Sequence, residues 1–419
     1  MGGGGSGEAG SGGNAGGAGG AGGSGAAGQA GAAGGSGGAG QAPDAGGEAD
    51  AGPVAPPSSL ADFRYRAIIR MNTASSGAGV MGNVANYPLA VRLDATGFDF
   101  SQARDGGQDI RFSTMEGADL PHAIESWDKA TGKALVWVKI PEVLGNNDTQ
   151  AFRMHWGHAG APDTSNSHAV FDAKDGYLGV WHLDEEGSVT ADGYIDASSY
   201  GAHGTGVNLE PGSRVDSILG KGTRLQNSRA DWKGQWIRVD GPKVVDAYNA
   251  SAERSITVSA WARASSFPGH SSIGGYETVF SKGDTSWTLQ KFSFNTSWES
   301  CTKAPGAGHY CAISRQFRTM TNVWFHFTLV ITRSNLTQFI NAVQDGRTGN
   351  AGRVGQHPFG IGQQTQSLMG KREWDGIIDE VRVYGVAKDA NWIKLEFESQ
   401  KEGSKFLTFG ETETAVPTR

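Results

Sequence analysis

The chain has 419 residues, a formal net charge of −7, and 18 Phe and 12 Trp, enough aromatic surface for a sizeable core. Its Lys and Arg residues are scattered singly, which argues against the basic stripe a nucleic-acid surface needs. No run of 18 apolar residues is present to cross a membrane as a helix.

Of the 65 glycines, 25 fall in the first 60 residues, together with 15 alanines. No aromatic residue precedes Phe63 and no Lys or Arg precedes Arg64. So little apolar surface cannot offset the entropy of ordering the backbone, and residues 1–60 read as a flexible tether. Its random-coil reach is about 40 Å. Its Gly-x-Gly strings follow no strand and precede no helix, so they are not phosphate loops. The arm has neither a charged n-region nor an apolar h-region. Its composition nevertheless looks like the spacer behind the lipid-bearing cysteine of bacterial surface lipoproteins. The expectation is therefore export, to the extracellular space or outer cell surface, with a lipid anchor upstream.

From Phe63 onward the period is two. Leu89–Leu93 alternates apolar and mixed residues, Ala134–Ile140 is apolar on almost both faces, and Phe152–Trp156 alternates again. Such runs place one strand face on a core, or both faces in a central strand. The pattern resumes in Ile256–Trp261, Val323–Thr332 and Ile377–Tyr384. A short helix is expected over Lys388–Phe397, with Trp392 and Leu395 on one face. Closely spaced strands with turn residues between them predict an all-β chain of two antiparallel sandwiches in series. The boundaries read as tether 1–60, small sandwich 61–173 and second sandwich 174–412.

The second part resembles bacterial laminin-G-like, concanavalin A-like jelly-roll modules. Gly179-Val180-Trp181-His182-Leu183-Asp184-Glu185 is similar to their first strand, and Asp196 to Gly204 to the loop that follows. Ile256–Trp261, Asn322–Val330 and Asp375–Tyr384 continue the likeness. Residues 63–172 resemble a bacterial domain of unknown function that often precedes such modules, through Gly107–Phe112, Ile124–Asp128, Val136–Pro141, His155-Trp156-Gly157 and Val170–Asp172. The second resemblance imports no activity. The first implies, in some members, a structural calcium where the first and last strands meet. Here its ligands would be Asp196, Asp379 and Glu380, since Ca²⁺ takes six to eight oxygens. The competing reading makes Glu380 a solvated strand residue and Asp379 a turn cap.

Cys301 and Cys311 flank a hairpin-like turn and read as a disulfide, with free thiols as the alternative. A bridge closing so short a loop stabilises by roughly 2.7 kcal/mol. It would persist in an oxidising compartment, in agreement with export. A metal site from Cys301, His309 and Cys311 lacks a fourth ligand and a Cys-x-x-Cys knuckle. His155, His158 and His168 read as incidental strand and turn histidines.

Glucanases of the same architecture need two carboxylates roughly 5–9 Å apart. On one strand that requires acids at alternate positions. Asp184-Glu185-Glu186 and Asp379-Glu380 are consecutive, and consecutive strand residues point to opposite faces. No nucleophile elbow or zinc-protease string is present either. The expectation is a non-enzymatic recognition or adhesion protein with a glycan or surface-protein partner and no nucleic acid. A structural spacer or a carbohydrate-active hydrolase is the alternative. Trp232, Trp236, Trp287 and Trp298, beside polar loops, are the candidate sugar platforms, each set against a place in the core.

Overall fold

A computed structural model describes residues 59–415, apart from 228–232, 241–243, 245–253, 268–274, 284–285, 293–294, 304–307, 350–354, 356 and 367–371. The expected all-β organisation holds. The first sandwich contains β1 (Tyr65–Met71), β2 (Val84–Asp94), β3 (Arg111–Thr114), β4 (Asp119–Leu120), β5 (His122–Asp128), β6 (Lys133–Val143) and β7 (Ala151–Trp156). One sheet runs β2-β6-β5, and the other contains β1-β7-β3-β4.

The second module opens with β8 (Tyr177–Trp181), β9 (Gly204–Val207), β10 (Arg214–Asp216), β11 (Lys221–Leu225) and β12 (Trp236–Val239). Then come β13 (Ile256–Ala264), β14 (Glu277–Ser281), β15 (Trp287–Lys291), β16 (Ser297–Lys303) and β17 (His309–Arg318). The chain continues with β18 (Trp324–Ile331), β19 (Asn335–Ile340), β20 (Val343–Gly349), β21 (Phe359–Ile361) and β22 (Gly376–Tyr384). One sheet is ordered β10-β11-β22-β13-β18-β19-β20, with β8 on β22, and the other β17-β16-β15-β14-β21-β12-β9. The strands β17 and β20 therefore each end a sheet.

Helix α1 (Ala390–Gln400) forms slightly later than expected because Asp389 is its N-cap, accepting the Trp392 N–H at 2.8 Å. After it, β23 (Leu407–Phe409) and β24 (Glu413–Thr414) pair with β1, so these two strands belong to the sheet of the first sandwich. The expected module 174–412 therefore over-runs its own sheets. Two strands this short carry too little periodicity to be read as strands, still less assigned a partner.

The second module has a core of its own, and a further apolar cluster joins it to the first sandwich. Residues of both pack in a single cluster, Trp137 and Val138 from one side with Val180, Trp261, Tyr384 and Trp392 from the other. Along β6 the two-residue period turns Leu135 and Trp137 one way and Val136 and Val138 the other, which explains why this strand reads as apolar on both faces. The helix spans the junction. Tyr87 and Ser399 share a hydroxyl hydrogen bond of 2.6 Å, Trp261 Nε1 donates to Gln400 at 2.7 Å, and the Gly82 N–H donates to Asn391 at 3.0 Å.

Candidate functional site

Two places concentrate chemistry: a buried charge cluster where the sandwiches meet, and an open cleft on the far edge of the second module. Both are built on irregularities in strand pairing.

At the junction, His182 Nδ1 lies 2.7 Å from Glu380 Oε1 and 3.3 Å from Glu125 Oε2. Arg382 donates to Glu380 Oε2 at 2.6 Å, reaches Glu396 at 3.5 Å, and sits 4.5 Å over the Trp137 ring. The Trp137 indole N–H donates to Glu125 at 2.6 Å and its ring stacks on His182. Both acids occupy bulges. The β5–β6 register slips at Glu125, and the β13–β22 register slips at Glu380, whose φ is +51°. A bulge re-aims its side chain. It keeps Ile378, Val381 and Val383 in the module's core while Glu380 meets Arg382 on the opposite side. Asp379 and Glu380 are thus not split to opposite environments as consecutive strand residues would be.

Burial opposes a charge on His182, but Glu380 and Glu125 outweigh it and carry the imidazole up to about 10. Burial would also raise Glu380, yet His182 and Arg382 hold it well below the usual carboxylate range. Burial pushes Glu125 up, only partly offset by His182. The cluster is a charge-compensated clasp.

The residues expected to hold calcium do not form a ligand set. Asp196 Oδ1 accepts the N–H groups of Val180 and Ser198, each at 2.8 Å, and Oδ2 that of Ala202 at 2.7 Å. It staples its own loop. Glu380 is taken by His182 and Arg382, and Asp379 accepts the Leu219 N–H at 3.1 Å. Burial, with Glu380 and Glu125, pushes Asp379 well above the usual carboxylate range. A buried acid whose surroundings disfavour its charged form and two carboxylates already occupied by N–H donors do not fit Ca²⁺. Among the described residues, the groups close enough to share an ion are Glu125-His182-Glu380 and Cys301-His309-Cys311.

Cys301 and Cys311 face each other across β16 and β17 and form the expected disulfide. Trp287 and Trp298 are core residues, 2% and 1% exposed, packed on Phe280 and Phe359 and on Phe325, Phe327 and Trp374 respectively. Neither is a sugar platform, because each sits at an inward position of its strand. Trp236 is half-buried against Gly360 of the neighbouring strand, and Trp232 lies outside the described residues.

Of several open clefts among the described residues, one of about 610 Å³ is lined by Cys311, Ile313, Arg315, Gln316, Gln344, Asp345, Gly346 and Arg347. It forms where the edge strands β17 and β20 meet. Between Ile313 and Arg318 β17 leaves its register with β16, and β20 bulges between Gln344 and Arg347. Asp345, buried at the second bulge, ties the two together. Its Oδ1 accepts the N–H groups of Arg315 and Gln316 at 2.8 and 2.9 Å, and its Oδ2 that of Phe317 at 2.8 Å. The Asp345 carbonyl accepts from Gln338, which in turn accepts from Ser300 of the opposite sheet. A Cβ at Gly346 would lie 3.2 Å from that of Ala312, a tight contact, and its φ of +152° strains any other residue, so glycine suits the close approach of the strands. The disulfide braces the β17 wall. Sequence reasoning missed the cleft because its lining comes from positions where strand periodicity breaks down; Asp345-Gly346 inside a strand was the available sign.

Residues 240–394 match the profile of the concanavalin A-like lectin/glucanases superfamily, and residues 106–183 that of a domain of unknown function, DUF2341. Both are the resemblances expected from the sequence. No curated protein shows significant similarity. Among solved structures, the chain is similar to the botulinum neurotoxin serotype C1 binding domain, with 15% identity over 55% of this chain and 53% of that one, at a TM-score of 0.39. It is likewise similar to the binding domain of botulinum neurotoxin DC in complex with SialylT, with 16% identity, 53% and 52% coverage, and a TM-score of 0.38. For the same domain in complex with rat synaptotagmin II the values are 16%, 55%, 53% and 0.39. The chain spans about half the length of these structures.

Proposed function

We propose that this is a non-enzymatic recognition protein, displayed outside the cell on its N-terminal tether, whose jelly-roll module binds saccharide through the β17–β20 cleft. The observation that carries this reading is the cleft itself. Its volume of about 610 Å³ lies in the range of small-ligand sites, roughly 300–1,000 Å³. Its walls are held by the disulfide and by Asp345, so little ordering accompanies binding. It offers an apolar contact in Ile313, amides in Gln316 and Gln344, and two guanidinium groups. The one carboxylate in the lining already serves three backbone N–H groups, which favours a binding role over hydrolysis. The disulfide agrees with an oxidising location. The buried clasp holds the first sandwich as a fixed base for the module.

The test is a binding screen of the full chain against a broad glycan panel, with Gln344→Trp, which puts an indole into the cleft, as the control. Retention of a saccharide class that Gln344→Trp abolishes, at an unchanged melting temperature, is the expected result. Silence across the panel, or binding indifferent to the substitution, overturns the reading and moves the protein toward a structural role.

A further inference from the structure

We infer that the ligand of this cleft is an anionic polysaccharide, held by charge-assisted contacts from Arg315 on one wall and Arg347 on the other. The inference rests on the reading of the cleft as a saccharide site and names the class of saccharide.

Arg315 and Arg347 are both exposed and both line the cleft, one from each edge strand. Among the described residues neither guanidinium has an acidic partner. Some cations of this chain do, Arg66 with Glu413 and Arg238 with Asp240 at 2.8 Å among them, whereas exposed Arg70, Arg214, Arg224 and Arg333 do not; what sets Arg315 and Arg347 apart is their place on the two walls of one cleft. The acid of the cleft lining, Asp345, is buried and turned inward, with both oxygens occupied by the N–H groups of Arg315, Gln316 and Phe317. Those same bonds fix the backbone from which Arg315 projects. The cleft therefore presents two unpaired cations on a rigid frame within a chain of net negative charge.

Guanidinium groups match two-oxygen anions, in bidentate geometry, better than they match hydroxyls. Two of them on facing walls suit a chain that carries repeated charges rather than one terminal group. Ile313, 38% exposed in the same lining, offers a surface for the apolar face of a sugar ring. Carboxylates of uronic acids and sulfate esters share this chemistry, so both are tested.

The experiment measures affinity of the full chain for polygalacturonate, dextran sulfate, neutral dextran and poly-glutamate, alongside Arg315→Gln/Arg347→Gln. Glutamine keeps the polar stem, and unchanged melting of the double variant confirms its fold. Expected is binding to one or both anionic polysaccharides, at least tenfold tighter than to neutral dextran. Expected too are a tenfold or greater loss in the double variant and weakening with added salt. The carboxylate and sulfate arms then say which group is preferred. An unchanged affinity in the double variant overturns the inference, as does poly-glutamate binding equal to that of the polysaccharides. If a neutral glycan binds through the cleft, with loss on Gln344→Trp but not on the double variant, the inference fails while the saccharide reading stands. If no saccharide binds, both fail.

Discussion

Replacing Arg382 by methionine removes the cation that compensates two buried carboxylates while keeping most of the side-chain volume. Arg382 is fully buried, 2.6 Å from Glu380 and 3.5 Å from Glu396, and its guanidinium lies over Trp137. Breaking a buried pair from one side costs about 3–5 kcal/mol, because the remaining charge has no solvent to return to. Unfolding entropy near 2.1 cal/mol/K per residue gives about 0.75 kcal/mol/K for the folded part. The melting temperature of the full chain should therefore fall by about 4–7 °C in calorimetry. Arg382→Met/Glu380→Gln should recover part of this, since the orphaned carboxylate is gone. A loss below about 1 kcal/mol, or strictly additive single effects, would refute the clasp, because contacting partners must couple.

Three further outcomes follow from the same geometry. The raised value of His182 means that its stabilising contribution is complete below its ordinary pKa of about 6.5 and is lost as pH rises through about 10; thermal melts from pH 6 to 10 should show a declining stability that flattens in His182→Gln, and an identical slope in both proteins contradicts the assignment. Ending the chain at Gly403 removes β23 and β24 from β1, so amides of Tyr65–Met71 should exchange with deuterium faster, and unchanged exchange would show that the returning strands contribute nothing. Replacing both cysteines by serine should cost about 2–3 kcal/mol on the chain-entropy estimate and weaken cleft binding by loosening the β17 wall; equal stability and affinity would make the bridge incidental.

Much of the fold is legible in the sequence because regular strands write their period into it. Ala134–Ile140, Ile256–Trp261 and Ile377–Tyr384 each became a central strand. The sites are less legible because they sit where that period fails. Glu125 and Glu380 reach His182 only through bulges, and a linear reading places the adjacent Asp379 and Glu380 on opposite faces. A sign was available: Glu380 and Arg382 are charged residues in a strand otherwise built for burial, and such charges need partners nearby. The loop tryptophans misled for a related reason. Trp287 and Trp298 stand among polar neighbours, Thr288, Gln290 and Glu299, that are themselves buried, so a polar setting in the sequence is no sign that they face solvent.

The most direct measurement is hydrogen–deuterium exchange on the full chain with and without the saccharide that binds it best. The account predicts new protection confined to residues 311–316 and 343–347, the two walls of the cleft. Protection on the first sandwich, or on β9 and β12 at the far edge of the same sheet, would place recognition elsewhere and contradict it.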